Sequence, residues 1–214
     1  MIIDIKALLF DNDGVLVNSH ASVDAAWGQW CIEYGVEGFI SSEHYGTRAE
    51  DMVMMLVGKE KFAEANARIN ELEQASAHET TALPGAKELV TSLPEGIWTI
   101  CTSANPKLGP ARIQAAGLPL PKQLVTGGDV ENGKPAPDPY LLGASRLGFD
   151  PKDCVVFEDA QAGVLAGKAA GVSMVIGVSV WALKTDADIV IEDLAGISFD
   201  GSKLEIPDHK ILRR

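Results

Sequence analysis

The chain has 214 residues, 46% hydrophobic and 22% charged, with a formal net charge of -12, enough for one sizeable domain or a core with a small insert. So acidic a chain excludes nucleic acid and anionic membrane as main partners. It would also repel a phosphorylated ligand at long range, so any phosphate site must be made positive locally by a metal, a lysine or helix N-termini.

In chain order, residues 5–10 predict a buried strand that runs into Asp11-Asn12-Asp13-Gly14-Val15-Leu16. Two carboxylates one residue apart at the carboxyl end of a first strand form a paired acidic site, at the edge where open α/β sheets bind ligands. They repel unless a cation or a shared proton intervenes, and a hard divalent cation such as Mg2+ resolves this. Val23, Trp27, Trp30, Cys31 and Tyr34 recur at helical spacing up to Gly35 and Gly38. A loop holding His44, Tyr45, Gly46, Thr47 and Arg48 leads to a second helix marked by Met52, Met55 and Leu56, and residues 60–79 predict a third, charged helix. The Trp and Met side chains are expected in the core of this helical stretch.

Pro84-Gly85 marks the return to alternating elements, with a helix to Ser92 and a second strand over 97–102. Pro106 suits a first helical turn, residues 123–126 predict a short third strand, and Asp138 is expected to cap a helix through Leu147. Residues 154–157 predict a fourth strand, Ala160 to Ala170 a helix, and residues 174–178 and 189–191 a fifth and sixth strand. The ending Lys210–Arg214 is expected to be a frayed tail or an edge element. This alternation implies an α/β fold, a parallel sheet with helices on both faces. Residues 17–82, helices only, are expected to be an inserted cap, leaving 1–16 and 83–214 as the core.

Further chemistry sits at later strand ends. Thr102-Ser103-Ala104 offers hydroxyls and backbone N–H groups that suit a phosphate oxygen, with Asn105 a helix cap or a further phosphate contact. Lys134, fixed in Gly133-Lys134-Pro135-Ala136-Pro137, can neutralise a carboxylate and a transferring phosphoryl group. Glu158-Asp159 supplies a second acidic half for a metal site, or a helix cap. Gly128 to Lys134 reads like a P-loop, but Pro135 stands where the metal-binding hydroxyl belongs, which excludes that reading. Cys31, Cys101 and Cys154 lack metal-ligand spacing and are expected as reduced thiols, consistent with a cytoplasmic setting. Asp4 interrupts the first apolar stretch, so no signal peptide is expected, and no stretch approaches the roughly 20 apolar residues of a membrane span.

Asp-x-Asp, then Thr-Ser, then Gly-Lys-Pro, then Glu-Asp, in this order, resembles the four motifs of the haloacid dehalogenase superfamily, from Asp11 to at least Gly171. The inserted helices look like the cap of its β-phosphoglucomutase-like branch, and Gly133 to Leu141 is similar to small sugar- and polyol-phosphate phosphatases. The resemblance implies a Rossmann-like core with strand order 5-4-1-2-3 and a Mg2+-dependent phosphatase working through an aspartyl-phosphate. Asp11 would be the nucleophile and Asp13 the general acid and base. Ser103, Ala104, Asn105 and Lys134 would hold the phosphoryl group. Asp11, the Asp13 carbonyl, Asp159 and Glu158, the last supporting or ligating, would hold the metal. Arg48 and His44 fall in the family's specificity loop as candidate substrate contacts. The expected partner is a small phosphomonoester substrate, with no nucleic acid or membrane, and the protein is expected to be a monomer.

Two departures and two alternatives stand beside this reading. Asn18-Ser19 replaces the usual Asp-Ser at the hinge, and Asn12 sits between the acids, with its side chain expected to face away from the site. A phosphosugar mutase of that branch carries a cap histidine that aligns here with Val23, while His20 lies three residues early, so hydrolysis is favoured. A non-catalytic phosphate-binding or phospho-accepting protein is the alternative of another class.

Overall fold

The structure, a computed structural model, describes residues 1–214. Its centre is a six-stranded sheet built on β2 (Ala7–Phe10), whose four residues are all buried. β1 (Ile2–Asp4) precedes it; β3 (Val17–Asn18), α1 (His20–Tyr34), α2 (Ala49–Ser76) and β4 (Thr81–Ala82) follow. Next come α3 (Ala86–Ser92), β5 (Trp98–Ile100), α4 (Leu108–Ala115), α5 (Asp138–Leu147), β6 (Cys154–Glu158) and α6 (Gln161–Ala169). The chain ends with β7 (Met174–Val178), β8 (Ile189–Ile191), β9 (Ser198–Phe199), β10 (Lys203–Glu205) and β11 (Ile211–Arg213).

The sheet runs β11-β8-β7-β6-β2-β5, parallel except for β11. The expected order is present as far as β5. The expected strand at 123–126 is a single bridge, Val125 to Cys101. Leu124 N–H turns back to the Pro121 carbonyl, and Thr126 already caps a short turn through Asp129, leaving no length for a ladder. The C-terminal residues form the edge strand β11, held antiparallel on β8 by Arg213 donating to the carbonyls of Leu183, Thr185 and Ala187. A second small sheet, β1-β10-β9, has no counterpart in the sequence expectations.

Strand periodicity divides the core into two layers. Leu8, Phe10, Val155 and Phe157 face one side, where they meet Leu89 and Val90 of α3 and Ile113 of α4. Ala7, Leu9, Cys154 and Val156 face the other, against Tyr140 and Ala144 of α5 and Val164 and Ala166 of α6. A fully buried Leu or Phe contributes about 1.5–3 kcal/mol, and a sheet covered on both faces explains the unbroken apolar runs.

The helices between β3 and β4 have a core of their own, in which Trp27 and Trp30 meet Met52, Val53, Ala65 and Ile69. Trp30 Nε1 donates to the Ala65 carbonyl at 2.9 Å, so its buried indole leaves no polar atom unpaired. The second and third expected helices are the two halves of α2, which break at Gly58, where φ 68° and ψ 179° suit a residue without Cβ. Met52 is buried as expected, but Met54 and Met55 are exposed. β3 and β4 pair antiparallel, Val17 with Ala82 and Asn18 with Thr81, so the stretch enters and leaves through one ribbon. Asp138 is the first helical residue of α5 rather than its cap, and its carboxylate accepts from Asn132 instead. The three cysteines are unpaired. No helix is long and apolar enough to cross a membrane.

Candidate active site

Parallel strands end together, so the residues that follow β2, β5 and β6 meet at one sheet edge. Asp11 leaves β2 with its N–H on the Phe157 carbonyl, while Glu158 ends β6 and Asp159 follows it. Lys134 reaches the same point from the loop before α5. Its ammonium lies 2.5 Å from Asp11 Oδ1 and 2.7 Å from Glu158 Oε1, and its side chain is fully buried. Tyr140 donates to Glu158 Oε1 at 2.8 Å, and the N–H groups of Asp159 and Ala160 donate to Oε2 at 3.0 and 3.1 Å. Both Glu158 oxygens are thus taken up by the protein, and Glu158 locks Lys134 and the start of α6 in place.

That lock depends on Gly163. A Cβ there would stand 1.6 Å from Glu158 Oε1. Gly163→Ala should expel the carboxylate from its bonds and cost about 1–3 kcal/mol by overpacking. A urea melt matching that of the parent protein would refute this.

One ammonium is set against three buried carboxylates. Ligand oxygens of Asp11, Glu158 and Asp159 can all be chosen within 4.8 Å of one another. Burial pushes Asp11 well above the usual carboxylate range, with Glu158 and Asp159 adding to it and Lys134 opposing. Burial likewise pushes Asp159 up to about 6, against the pull of His20. Asp159 Oδ2 is buried without a hydrogen bond, its nearest basic group being His20 Nε2 at 3.0 Å. An excess of buried oxygen charge with an unsatisfied ligand atom fits a hard divalent cation.

Asp13 stands beside this cluster, partly buried. Ser19 donates to its Oδ1 at 2.6 Å, and Arg112 of α4 lies 3.1 Å from the same oxygen. Burial raises the Asp13 carboxyl, but Arg112, Ser19 and Asn12 outweigh it and hold it below the usual range. Asn12, fully buried and outside the cavity lining, donates from Nδ2 to Asp13 Oδ2 at 3.3 Å. Gly14 follows with φ 84°, and a Cβ there would meet Asp159 Oδ2 at 2.0 Å. The glycine of Asp-x-Asp-Gly lets the two acidic halves approach.

The expected phosphate and substrate contacts fall around a cavity of about 150 Å³. Ser103 and Ala104 line it, but Ser103 Oγ donates to the Gly46 carbonyl at 2.5 Å and Ala104 N–H to Thr102 Oγ1 at 3.1 Å. Asn105 accepts from the N–H groups of Lys107 and Leu108 at the start of α4, and its amide donates to Asn70. His44 lines the cavity stacked on Phe39. Arg48 also lines it, yet its guanidinium is directed to Asp51 and to the carbonyls of Gly127, Val130 and Glu131. In this arrangement Arg48, while lining the cavity, ties the helical stretch to the core. Fitting that tie, Gly133 lies so close that a Cβ there would meet Arg48 Nε at 2.5 Å.

Sequence reading weighed His20 only against the mutase cap histidine, and passed over Arg112, Glu73 and Tyr140. His20 opens α1 and stacks on Tyr45 at 4.2 Å between ring centroids. It was set aside because it falls three residues before Val23, the position the mutase histidine aligns with. Arg112, Glu73 and Tyr140 are ordinary helix residues in sequence, and only tertiary packing brings them to the acids.

Comparison with known proteins agrees with this geometry. The chain is 44% identical over 173 residues to hexitol phosphatase A of Escherichia coli, covering 78% of this chain and 80% of that protein. It is 31% identical over 226 residues to glycerol-1-phosphate phosphohydrolase 2 of Saccharomyces cerevisiae, covering 94% and 87%. A β-phosphoglucomutase from Clostridium difficile shares the fold, with a TM-score of 0.78 at 20% identity over 89% of this chain and 92% of that one. The haloacid dehalogenase-like hydrolase family matches residues 5–171, and with acids, lysine and glycines standing as described, the chain belongs to that family.

Proposed function

We propose that the protein hydrolyses small sugar or polyol phosphates in a Mg2+-dependent reaction, with Asp11 as nucleophile. The observation that carries this reading is the buried Asp11–Lys134–Glu158–Asp159 cluster beside Asp13 at the cavity wall. The hexitol and glycerol phosphate relatives support the substrate class. Val23 lines the cavity where the mutase resemblance calls for histidine, which favours hydrolysis over transfer.

The Asp11 carboxylate attacks phosphorus and the bond from phosphorus to the leaving oxygen breaks; Asp13 gives that oxygen a proton, which it must first take up against the Arg112 and Ser19 contacts that favour its ionised form. The ionised Asp13, the form that Arg112 and Ser19 hold, then takes a proton from the water that attacks the phosphorus of the acyl phosphate. Phosphate leaves and the Asp11 carboxylate is restored. Lys134 stays charged throughout, because the carboxylates around it outweigh burial and raise its pKa. Ser103 Oγ turns to the phosphoryl oxygens when the Gly46 carbonyl releases it, and the Ala104 N–H does so on leaving Thr102 Oγ1. Asp11, Asp159 and the Asp13 carbonyl would hold the cation, with Glu158 as strut, its oxygens being already engaged. When bound, Mg2+ neutralises charge on the transferring phosphoryl group. Residues 17–82 act as a cap that opens about the β3–β4 ribbon.

Phosphate release should be measured over sugar, polyol and nucleotide monophosphates with Mg2+ and with EDTA. Chelation should abolish turnover and added Mg2+ restore it. Full turnover in EDTA would remove the metal from the scheme, and no release from any ester would overturn the phosphatase reading.

A further inference from the structure

The wall of the cavity opposite Asp11 carries side chains from α2 that the scheme above does not use. Asn66, Asn70 and Glu73 stand four and three residues apart on the second half of α2, so they share one face, and all three line the cavity. Asn105 and Arg112 line it from the core. Arg112 NH2 lies 3.5 Å from Glu73 Oε1 while NH1 holds Asp13, so one buried guanidinium spans the core acid and the cap acid. Asn66 Oδ1 and Arg112 Nε are buried with no protein partner.

Charge on this wall is already spent. Two arginines line the cavity, and each faces acids: Arg48 meets Glu50 and Asp51, and Arg112 meets Asp13 and Glu73. Of the histidines, His20 is paired with Asp159 and His44 stacks on Phe39. A second anionic group on a ligand would therefore meet Glu73 and Glu50 with no uncommitted guanidinium to receive it. Burial beside a like charge is costly. Carboxamides and a carboxylate offer donors and acceptors together, the match for hydroxyls, which both give and accept hydrogen bonds.

We infer that Glu73, set in place by Arg112, makes the enzyme select phosphate esters of neutral, hydroxyl-rich alcohols and reject esters whose leaving group carries a second negative charge. The inference rests on the phosphatase reading and adds the class of leaving group.

A matched pair tests it: glycerol 3-phosphate and 3-phosphoglycerate, which differ by a hydroxymethyl group against a carboxylate. p-Nitrophenyl phosphate reports the chemistry independently. The unmodified protein with Mg2+ should favour the neutral ester in kcat/KM by about tenfold or more. Glu73→Gln should shrink that ratio severalfold, chiefly by raising kcat/KM for the carboxylate ester. Asn70→Asp adds charge to the same helix face and should widen it, which keeps the test decisive if Glu73→Gln does not fold. A ratio near one in the unmodified protein, with p-nitrophenyl phosphate still hydrolysed, would overturn the inference and leave the phosphatase standing. So would a ratio that neither substitution moves. Release from none of the three esters would overturn the phosphatase reading and this inference with it.

Discussion

Asp11→Asn should lower phosphate release by roughly 10⁴-fold or more, the scale of losing a nucleophile that acts as part of a unit. The amide cannot form the acyl phosphate, and nothing beside it can take over. Asp13 is held by Ser19 and Arg112, and Glu158 by Lys134, Tyr140 and two backbone N–H groups. The fold should survive, because the substitution removes a desolvated carboxylate from a site that holds too many, and Lys134 keeps Glu158 as its partner. Phosphate release read together with a thermal melt checks both halves. Appreciable turnover by a folded Asp11→Asn protein would exclude Asp11 as the nucleophile.

Lys134→Met should strike stability and activity together. Methionine fills similar volume but leaves Asp11 and Glu158 facing each other without their shared cation. Removing one member of a buried ion pair typically costs about 3–5 kcal/mol. Stabilisation lost at the phosphoryl group should lower kcat by a further factor of roughly 10² to 10³. The destabilisation should be larger in EDTA than with Mg2+, since a bound divalent cation can stand in for part of the missing charge. Urea melts under the two conditions measure this. Equal melts for the variant and the parent protein would show that Lys134 is not the counter-charge its position implies.

The sequence disclosed whatever was written locally. The runs at 5–10, 154–157 and 174–178 pointed to buried strands, and the acids after the first two mark one edge of the sheet. The break at Gly58 was visible as a change from apolar to charged helix. Features made by distant residues were not legible. β1 finds β10 across some two hundred residues, with no motif at either end to announce it. Arg112 looks like any helix arginine until α4 packs it between Asp13 and Glu73. Position in the specificity loop suggested a ligand contact for Arg48, but only the fold reveals that the loop at 127–131 presents three carbonyls to it.

Those carbonyls have a kinetic meaning. Arg48 and the Ser103–Gly46 bond fasten the helical stretch to the core beside the cavity, so any widening of the cavity at this side breaks several hydrogen bonds at once. Loosening and remaking the clasp is then a step of every turnover, and Arg48, a mostly buried residue of the cavity wall, takes part in it.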